Sequence, residues 1–122
     1  MVTPEKGILA PDESGGTIAK RFAGIGVVST DQTRRDYRDC SAADAIKQHI
    51  SGIILYDETI RQTASDRTPL VKMIESTDAI PGVKVNLGAT PLANFSGKTI
   101  TEGLDGLRDR LTDYYRLGAQ FA

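Results

Sequence analysis

Residues 6–21 read KGILAPDESGGTIAKR and place a short apolar run, a polar corner and the start of a helix next to one another. Alternate side chains of an extended segment share one face, so the run Gly7–Pro11 predicts a strand that delivers Asp12 where it stops. Ser14 and Thr17, with two glycines between them, supply hydroxyls and unhindered backbone N–H groups at a helix start. The apolar residues that then recur at helical spacing are Ile18, Phe22 and Ile25.

This polar corner suits an anion. The N-terminus of a helix carries partial positive charge and unpaired donors, and Lys20 and Arg21 add formal charge nearby. Phosphate is therefore the expected ligand, held by charge-assisted hydrogen bonds. An ordinary glycine-rich turn with a Thr cap fits the same spacing, and the corner alone does not separate the two interpretations.

Composition limits the function classes. A chain of 122 residues, 39% hydrophobic and 25% charged, is sufficient for one globular domain with a core. Its formal net charge of −1 argues against a nucleic-acid partner and against an anionic membrane surface. The apolar run near the start is too short and too charged at its flanks for a signal peptide or a membrane span. We predict a cytoplasmic location.

Cysteine and histidine are too few for a disulfide or a metal site. Cys40 and His49 are the single representatives of their types, and catalytic zinc normally takes two or three imidazoles. We predict no metal and no cofactor. His49 is expected on a helix surface or at an interface.

A second helix is predicted from Ser29, which forms a plausible capping box with Gln32, to about Gln48. Its first half is rich in arginine, at Arg34, Arg35 and Arg38. Such a polar helix is expected to present these cations to solvent.

The next strand and helix follow a buried pattern. Ile50–Tyr56 is a continuous apolar run, typical of a strand buried on both faces, and it opens into Asp57 and Glu58. A helix start follows at Thr68, with Pro69 at the first helical position. The residues predicted for its inner face are Leu70, Val71 and Ile74.

Gly82–Val85 is predicted as a third strand, with Lys84 between two valines. Lys84 could be an exposed lysine on an edge strand, which discourages aggregation. Alternatively it could point inward, where it would need an anionic partner such as a substrate phosphate or Asp12.

Gly88–Gly97 is predicted as a long loop. Thr101 is then expected to cap a helix that Gly118 ends. The apolar stripe of that helix comprises Leu104, Leu107, Leu111 and Tyr114. Residues 119–122 are predicted to begin a fourth strand.

Alternating strands and helices predict an α/β fold with a parallel sheet. A small doubly wound sheet and the opening three and a half units of a (β/α)8 TIM barrel both fit this order. In either architecture the polar residues that follow strands share one edge of the sheet. Those residues are Asp12, Asp57, Glu58 and Lys84.

The motif in residues 6–21 resembles the first strand and helix of class I, Schiff-base-forming fructose-bisphosphate aldolase. Later blocks are similar in order and spacing: TRRDYR at 33–38, SGIILYDET at 51–59, IPGVKV at 80–85, PLA at 91–93 and EGLDGL at 102–107. The resemblance covers nearly the whole chain but only the front portion of a longer family chain. It implies the barrel, as a single partial domain over residues 1–122 without linkers.

The resemblance also implies a reaction: reversible cleavage of fructose 1,6-bisphosphate to dihydroxyacetone phosphate and glyceraldehyde 3-phosphate through a lysine Schiff base. Asp12 matches the family's catalytic aspartate, and Lys84 matches a cationic lysine of its active site. The positions that match substrate or phosphate contacts are Ser14, Thr17, Arg21 and Arg34. A homo-oligomer, a tetramer in the family, is implied as well.

Three departures from the family pattern stand out. Pro11 replaces the usual alanine, and Asn86 replaces a common aspartate two residues after Lys84. None of the six lysines aligns with the family's Schiff-base lysine. An inactive truncated fragment and a small phosphate-binding α/β domain therefore remain alternatives.

Overall fold

A computed structural model describes residues 3–39 and 43–122 and has an α/β fold around a parallel sheet. The three strands lie in the order β1-β2-β3, and both pairings are parallel. They are β1 Gly7–Leu9, β2 Ile50–Leu55 and β3 Ile80–Val83. The central strand β2 is the apolar run that the sequence predicts to be buried, and β3 begins two residues earlier than predicted.

The chain returns to the sheet beside β3. Phe121 bridges Gly82 in parallel orientation, the Val83 N–H donates to the Phe121 carbonyl at 3.0 Å, and the Gln120 N–H donates to Pro81 at 2.8 Å. Neighbouring strands thus follow sequence order, without the reversal that defines a doubly wound sheet. This is the N-terminal part of a TIM barrel, as predicted.

Six helices are described: α1 Gly15–Ala23, α2 Asp31–Asp39, α3 Ala43–His49, α4 Asp57–Ile60, α5 Leu70–Glu75 and α6 Leu107–Arg116. Ile25 lies beyond α1 and is 73% exposed, so the prediction that it continues the apolar positions of this helix is wrong. The second predicted helix corresponds to α2 and α3, while its middle and Cys40 lie outside the described residues. α2 is capped by Thr30 and Thr33, whose hydroxyls accept each other's backbone N–H at 2.8 and 3.1 Å, one residue later than the predicted cap.

The predicted loop at Gly88–Gly97 is wrong. Residues Gly88–Pro91 form β4, which pairs antiparallel with β5 at Thr99–Glu102. Left-handed backbone at Asn94 and Gly97 (φ 65° and 72°) turns the chain between them. Thr101 therefore belongs to a strand.

The helix predicted from Thr101 begins six residues later, at Leu107. Gly106 has φ 64° and precedes it, and Leu104 is 85% exposed outside the helix. Gly103 has φ 141°, and a Cβ there would come within 2.9 Å of the Asn86 Cα. Glycine is therefore required where the chain passes Asn86, and the helix begins only after this close approach.

The core lies between the sheet and its covering helices. Its centre comprises Ile46, Ile53, Leu55, Ile60, Val71, Ile74, Val83 and Tyr114. α5 buries Leu70, Val71 and Ile74 as predicted, although Pro69 is its cap and Thr68 precedes it. On the sheet itself the Phe121 ring covers Gly52 and Gly82, where an added Cβ would lie 3.4 and 2.5 Å from the ring.

Candidate functional site

Asp12 and Lys84 meet at the carboxyl-end edge of the sheet. Asp12 follows β1 and Lys84 directly follows β3, so the pair spans the end of β2. The Asp12 Oδ2 lies 3.4 Å from the Lys84 Nζ, and each side chain is 28% exposed. The Lys84 N–H also donates to the Leu55 carbonyl at 2.9 Å, which fixes the lysine to β2. Lys84 therefore has an anionic partner and is not an exposed edge-strand lysine.

The polar corner forms the start of α1. Ser14 is the N-cap: its Oγ accepts the Thr17 N–H at 3.4 Å and lies 3.1 Å from the Thr17 hydroxyl. A Cβ added at Gly15 or Gly16 would meet no atom within 4 Å, so the space beside this turn is open. An anion can therefore approach two hydroxyls and the N-terminal amides of a nine-residue helix.

Arg21 lies beside this corner and is held by two partners. Its Nη1 donates to the Glu13 carboxylate in an ion pair and lies 3.4 Å from the Tyr37 hydroxyl. The hydrogen bond with Tyr37 and the charge of Glu13 raise the pKa of Arg21. The Arg21 side chain remains 56% exposed, whereas Glu13 is 15% exposed. Arg21 is thus charged, accessible and restrained.

Tyr37 belongs to α2 and packs edge-on against Phe22 of α1, with ring centroids 5.7 Å apart. This contact places the α2 surface against the corner that follows β1. Glu13 and Tyr37 were missed by sequence reasoning. Glu13 could have been found from its place between Asp12 and Ser14, but Tyr37 carries no sequence signal for a contact with Arg21.

Arg34 lies in a second ion-pair cluster, defined by Arg34, Arg38 and Glu58, that joins α2 to α4. The Arg34 Nε and Nη2 donate to the Glu58 carboxylate at 2.8–3.1 Å. The Arg38 Nη1 donates to the same carboxylate at 3.1 Å. Asp31 also contacts the Arg34 guanidinium from the surface.

These arginines are not presented to solvent, which corrects the prediction for the polar helix. The side chain of Arg34 is 17% exposed and that of Arg38 is 2% exposed. Hydrogen bonds from Arg34, and then from Arg38, lower the pKa of Glu58, and the Glu58 hydrogen bond raises the pKa of Arg34. Glu58 therefore stays ionised and keeps both cations bound.

Asp57 takes part in a third contact, between α4 and α6. The Arg61 Nη2 donates to Asp57 at 3.1 Å and to Asp113 at 2.5 Å. The Arg61 guanidinium lies 5.8 Å from the Tyr114 ring centroid. Burial, and then a hydrogen bond with Asp57, raises the pKa of Tyr114. Asp57 thus fixes helices at this edge of the sheet.

Of the predicted site residues, Asp12 and Lys84 contact each other, Ser14 contacts Thr17, and Arg21 contacts the corner through Glu13. Arg34 is bound by Glu58 instead. Asn86 does not continue the strand with Lys84, because its side chain accepts the Gly88 N–H at 3.2 Å and begins the turn into β4. Within residues 3–39 and 43–122, no group of three or more His, Cys, Asp or Glu side chains could hold a metal ion.

None of the helices described is both long enough and apolar enough to cross a membrane.

Comparison with known proteins gives one consistent family. The family described as fructose-bisphosphate aldolase class-I matches residues 1–122. A probable fructose-bisphosphate aldolase class 1 from Xanthomonas campestris is 53% identical over 123 residues, which cover 100% of this chain and 37% of that protein.

Two further relatives agree. Fructose-bisphosphate aldolase 6, cytosolic, from Arabidopsis thaliana is 48% identical over 98% of this chain and 34% of its own length. A crystal structure of fructose-bisphosphate aldolase from Plasmodium falciparum, in complex with TRAP and a small-molecule inhibitor, superposes with a TM-score of 0.88 at 39% identity. That match covers 99% of this chain and 35% of the other. The chain thus spans little more than a third of the length of these relatives.

Proposed function

The chain belongs to the class-I fructose-bisphosphate aldolase family, and on that premise we propose that residues 1–122 form a single partial domain that carries part of an aldolase site. The reaction is reversible cleavage of fructose 1,6-bisphosphate into dihydroxyacetone phosphate and glyceraldehyde 3-phosphate. A lysine iminium serves as electron sink, so that the carbon–carbon bond breaks without a metal.

The observation that carries this proposal is the Asp12–Lys84 ion pair at the carboxyl-end edge of the sheet, where a TIM barrel holds its chemistry. Asp12 supplies a carboxylate that can act as a proton acceptor. In cleavage it would take the proton of the substrate hydroxyl as the carbon–carbon bond breaks. Lys84 would hold Asp12 through their ion pair and contribute positive charge to the substrate oxygens.

We assign the phosphate distal from the ketone to the corner that follows β1. Ser14 and Thr17 offer hydroxyls, the start of α1 offers backbone donors, and Arg21 offers a half-exposed guanidinium. Glu13 already pairs with Arg21. A bound phosphate would therefore displace Glu13 from the guanidinium or share the guanidinium with it. Arg34 would reach a substrate only by leaving Glu58, and we propose for it a supporting role.

We propose that the nucleophilic lysine comes from outside these residues. Lys84 is paired with Asp12, and a protonated amine cannot attack a ketone. Lys47 and Lys72 pair with Asp78 and Glu75 away from the strand ends. Apart from Lys6, the remaining lysines are Lys20 on α1 and Lys98 in the turn between β4 and β5, and both are exposed.

An inactive fragment is the second candidate function, and one observation favours it. β1 is an edge strand here, and its Ile8 and Leu9 are 46% and 43% exposed. Exposed apolar side chains on an open sheet edge promote association. We infer that residues 1–122 alone associate in solution, and that the natural product is a cytoplasmic homo-oligomer.

Borohydride trapping separates the two candidates. The chain of residues 1–122 and the natural gene product that contains it are each incubated with dihydroxyacetone phosphate and borohydride, and intact mass is measured. We expect a stable adduct only in the natural product, and turnover only there. An adduct on a monodisperse chain of residues 1–122 would show that these residues build a complete site.

A further inference from the structure

An apolar cavity lies on the helix side of the sheet, and one of its lining residues, Tyr37, also contacts Arg21 of the proposed phosphate corner. Its volume is about 500 Å³, within the range of small-molecule pockets. β1, β2, α3 and α5 supply its walls, through Leu9, Ile53, Leu55, Ala45, Ile46, His49, Met73 and Ile74. Leu9 and Pro11 both line it, whereas Asp12 does not.

Two buried polar groups of the residues that line this cavity lack partners among the described residues. Thr59 and Arg38 both line the cavity. The Thr59 Oγ1 is buried in a residue that is 1% exposed and has no hydrogen-bond partner. The Arg38 Nε is also unpartnered, in a side chain that is 2% exposed. Buried polar groups in folded proteins are normally paired.

The unpartnered groups define the chemistry of an occupant. Arg38 uses its other nitrogens elsewhere: Nη1 donates to Glu58 and Gln62, and Nη2 lies 3.5 Å from the Glu13 carbonyl. The Nε–H and the Thr59 hydroxyl remain as donors. They require an acceptor, and a charged guanidinium prefers a carboxylate oxygen. The remaining walls require an apolar body.

We propose that this cavity binds a small carboxylic acid with an apolar body, its carboxylate on Arg38 and Thr59. Neither Asp12 nor Lys84 lines the cavity, so we expect that sugar bisphosphate does not displace the acid. This inference does not rest on the proposed function.

Phenylacetate is the probe, and phenethylamine is its charge-reversed control. Saturation-transfer NMR and calorimetry are carried out on the natural gene product. We expect phenylacetate to bind, phenethylamine not to bind, and fructose 1,6-bisphosphate not to displace the acid. No phenylacetate binding at about 10 mM, equal binding of both probes, or displacement by the sugar bisphosphate would overturn the proposal.

Variants locate the binding site. Thr59→Val keeps the shape of the side chain but removes the donor, and we expect Kd to rise roughly 3- to 10-fold. Ala45→Phe fills the cavity from α3 and should raise Kd at least tenfold. Thr112→Val removes a hydroxyl on α6, outside the cavity, and should leave Kd unchanged. Unfolding curves report whether each variant folds, and an unchanged Kd in folded Thr59→Val would contradict the assignment.

Discussion

Two strands of this molecule are followed by the same pair of residues, an aspartate and then a glutamate, yet the segments after the two strands are built differently. After β1, Asp12 pairs with Lys84 and Glu13 pairs with a half-exposed Arg21. After β2, Glu58 is shared by two arginines that are mostly buried. We propose that a carboxylate pair serves a ligand where its cations are accessible and a helix contact where they are buried. Predictions that separate the two ends follow, in order of expected effect.

Asp12→Asn in the natural gene product should lower kcat for fructose 1,6-bisphosphate cleavage by roughly 10² or more, because a positioned proton acceptor is lost. Asp57→Asn is the matched change at the end of β2. It should alter kcat less than about threefold, since Asp57 contacts Arg61 at a partly exposed site. Steady-state rates and unfolding curves test both variants. Near-normal turnover in Asp12→Asn would remove Asp12 from the catalytic residues.

Glu58→Gln should lower the free energy of unfolding by about 1–3 kcal/mol, because Arg38 would keep a buried charge without its carboxylate. The lower part of that range applies if solvent reaches Glu58, whose side chain is 27% exposed. Glu75→Gln removes a surface pair with Lys72 and should cost less than about 0.5 kcal/mol. Urea unfolding measures both. Equal losses would mean that the cluster of Arg34, Arg38 and Glu58 is no stronger than a surface pair.

The same cluster predicts a pH dependence. The folded-state pKa of Glu58 is lowered by Arg34 and Arg38, so the folded state favours the ionised form. The resulting stabilisation is fully present above the unfolded-state pKa of about 4.3 and is lost as the pH falls through the folded-state pKa. The stability difference between wild type and Glu58→Gln should therefore shrink as the pH is lowered from about 5 to 3. A constant difference over that range would contradict the shift.

Arg21→Ala should raise KM for fructose 1,6-bisphosphate roughly 10- to 150-fold, because charge-assisted hydrogen bonds to the phosphate are lost. KM for fructose 1-phosphate, which lacks the distal phosphate, should rise much less. Lys20→Ala is the control, since it removes a neighbouring exposed cation from the same helix. Equal KM changes for both substrates in Arg21→Ala would indicate a structural role for Arg21.

Glu13→Gln should have the smallest effect. Removal of its charge releases Arg21 from a competing anion, and KM for the bisphosphate should fall by about two- to fivefold at low ionic strength. The change should disappear at high salt. A rise in KM would instead show that Glu13 orients Arg21 for the phosphate.

The strand ends were predictable for two reasons. The continuous apolar run identifies β2, and parallel strands place their carboxyl ends at the same edge of the sheet. Asp12 and Lys84 could therefore be assigned to one edge before their contact was known. The partners of Arg34 and Arg38 were not predictable, because sequence records charge but not which carboxylate, some 20 or more residues away, will neutralise it. Burial of Arg38 depends on how α2 packs against α4.

The β4–β5 hairpin was missed for a different reason. Its strands are short, exposed and polar, so neither alternation nor an apolar run identifies them. The turn residues Asn94 and Gly97 were the available signal. The late start of α6 depends on Gly103 crossing the chain at Asn86, a contact that no local pattern encodes.

The position of the Phe121 ring has a consequence for the register of the sheet. The ring contacts Gly52 of β2 and Gly82 of β3 at once, so it makes both contacts only when those strands are paired in the observed register. A one-residue slip would put a side chain in place of one glycine and exclude the ring. Contact of Phe121 with both glycines therefore depends on the β2–β3 register, and a variant that shifts this register would lose the ring from the sheet.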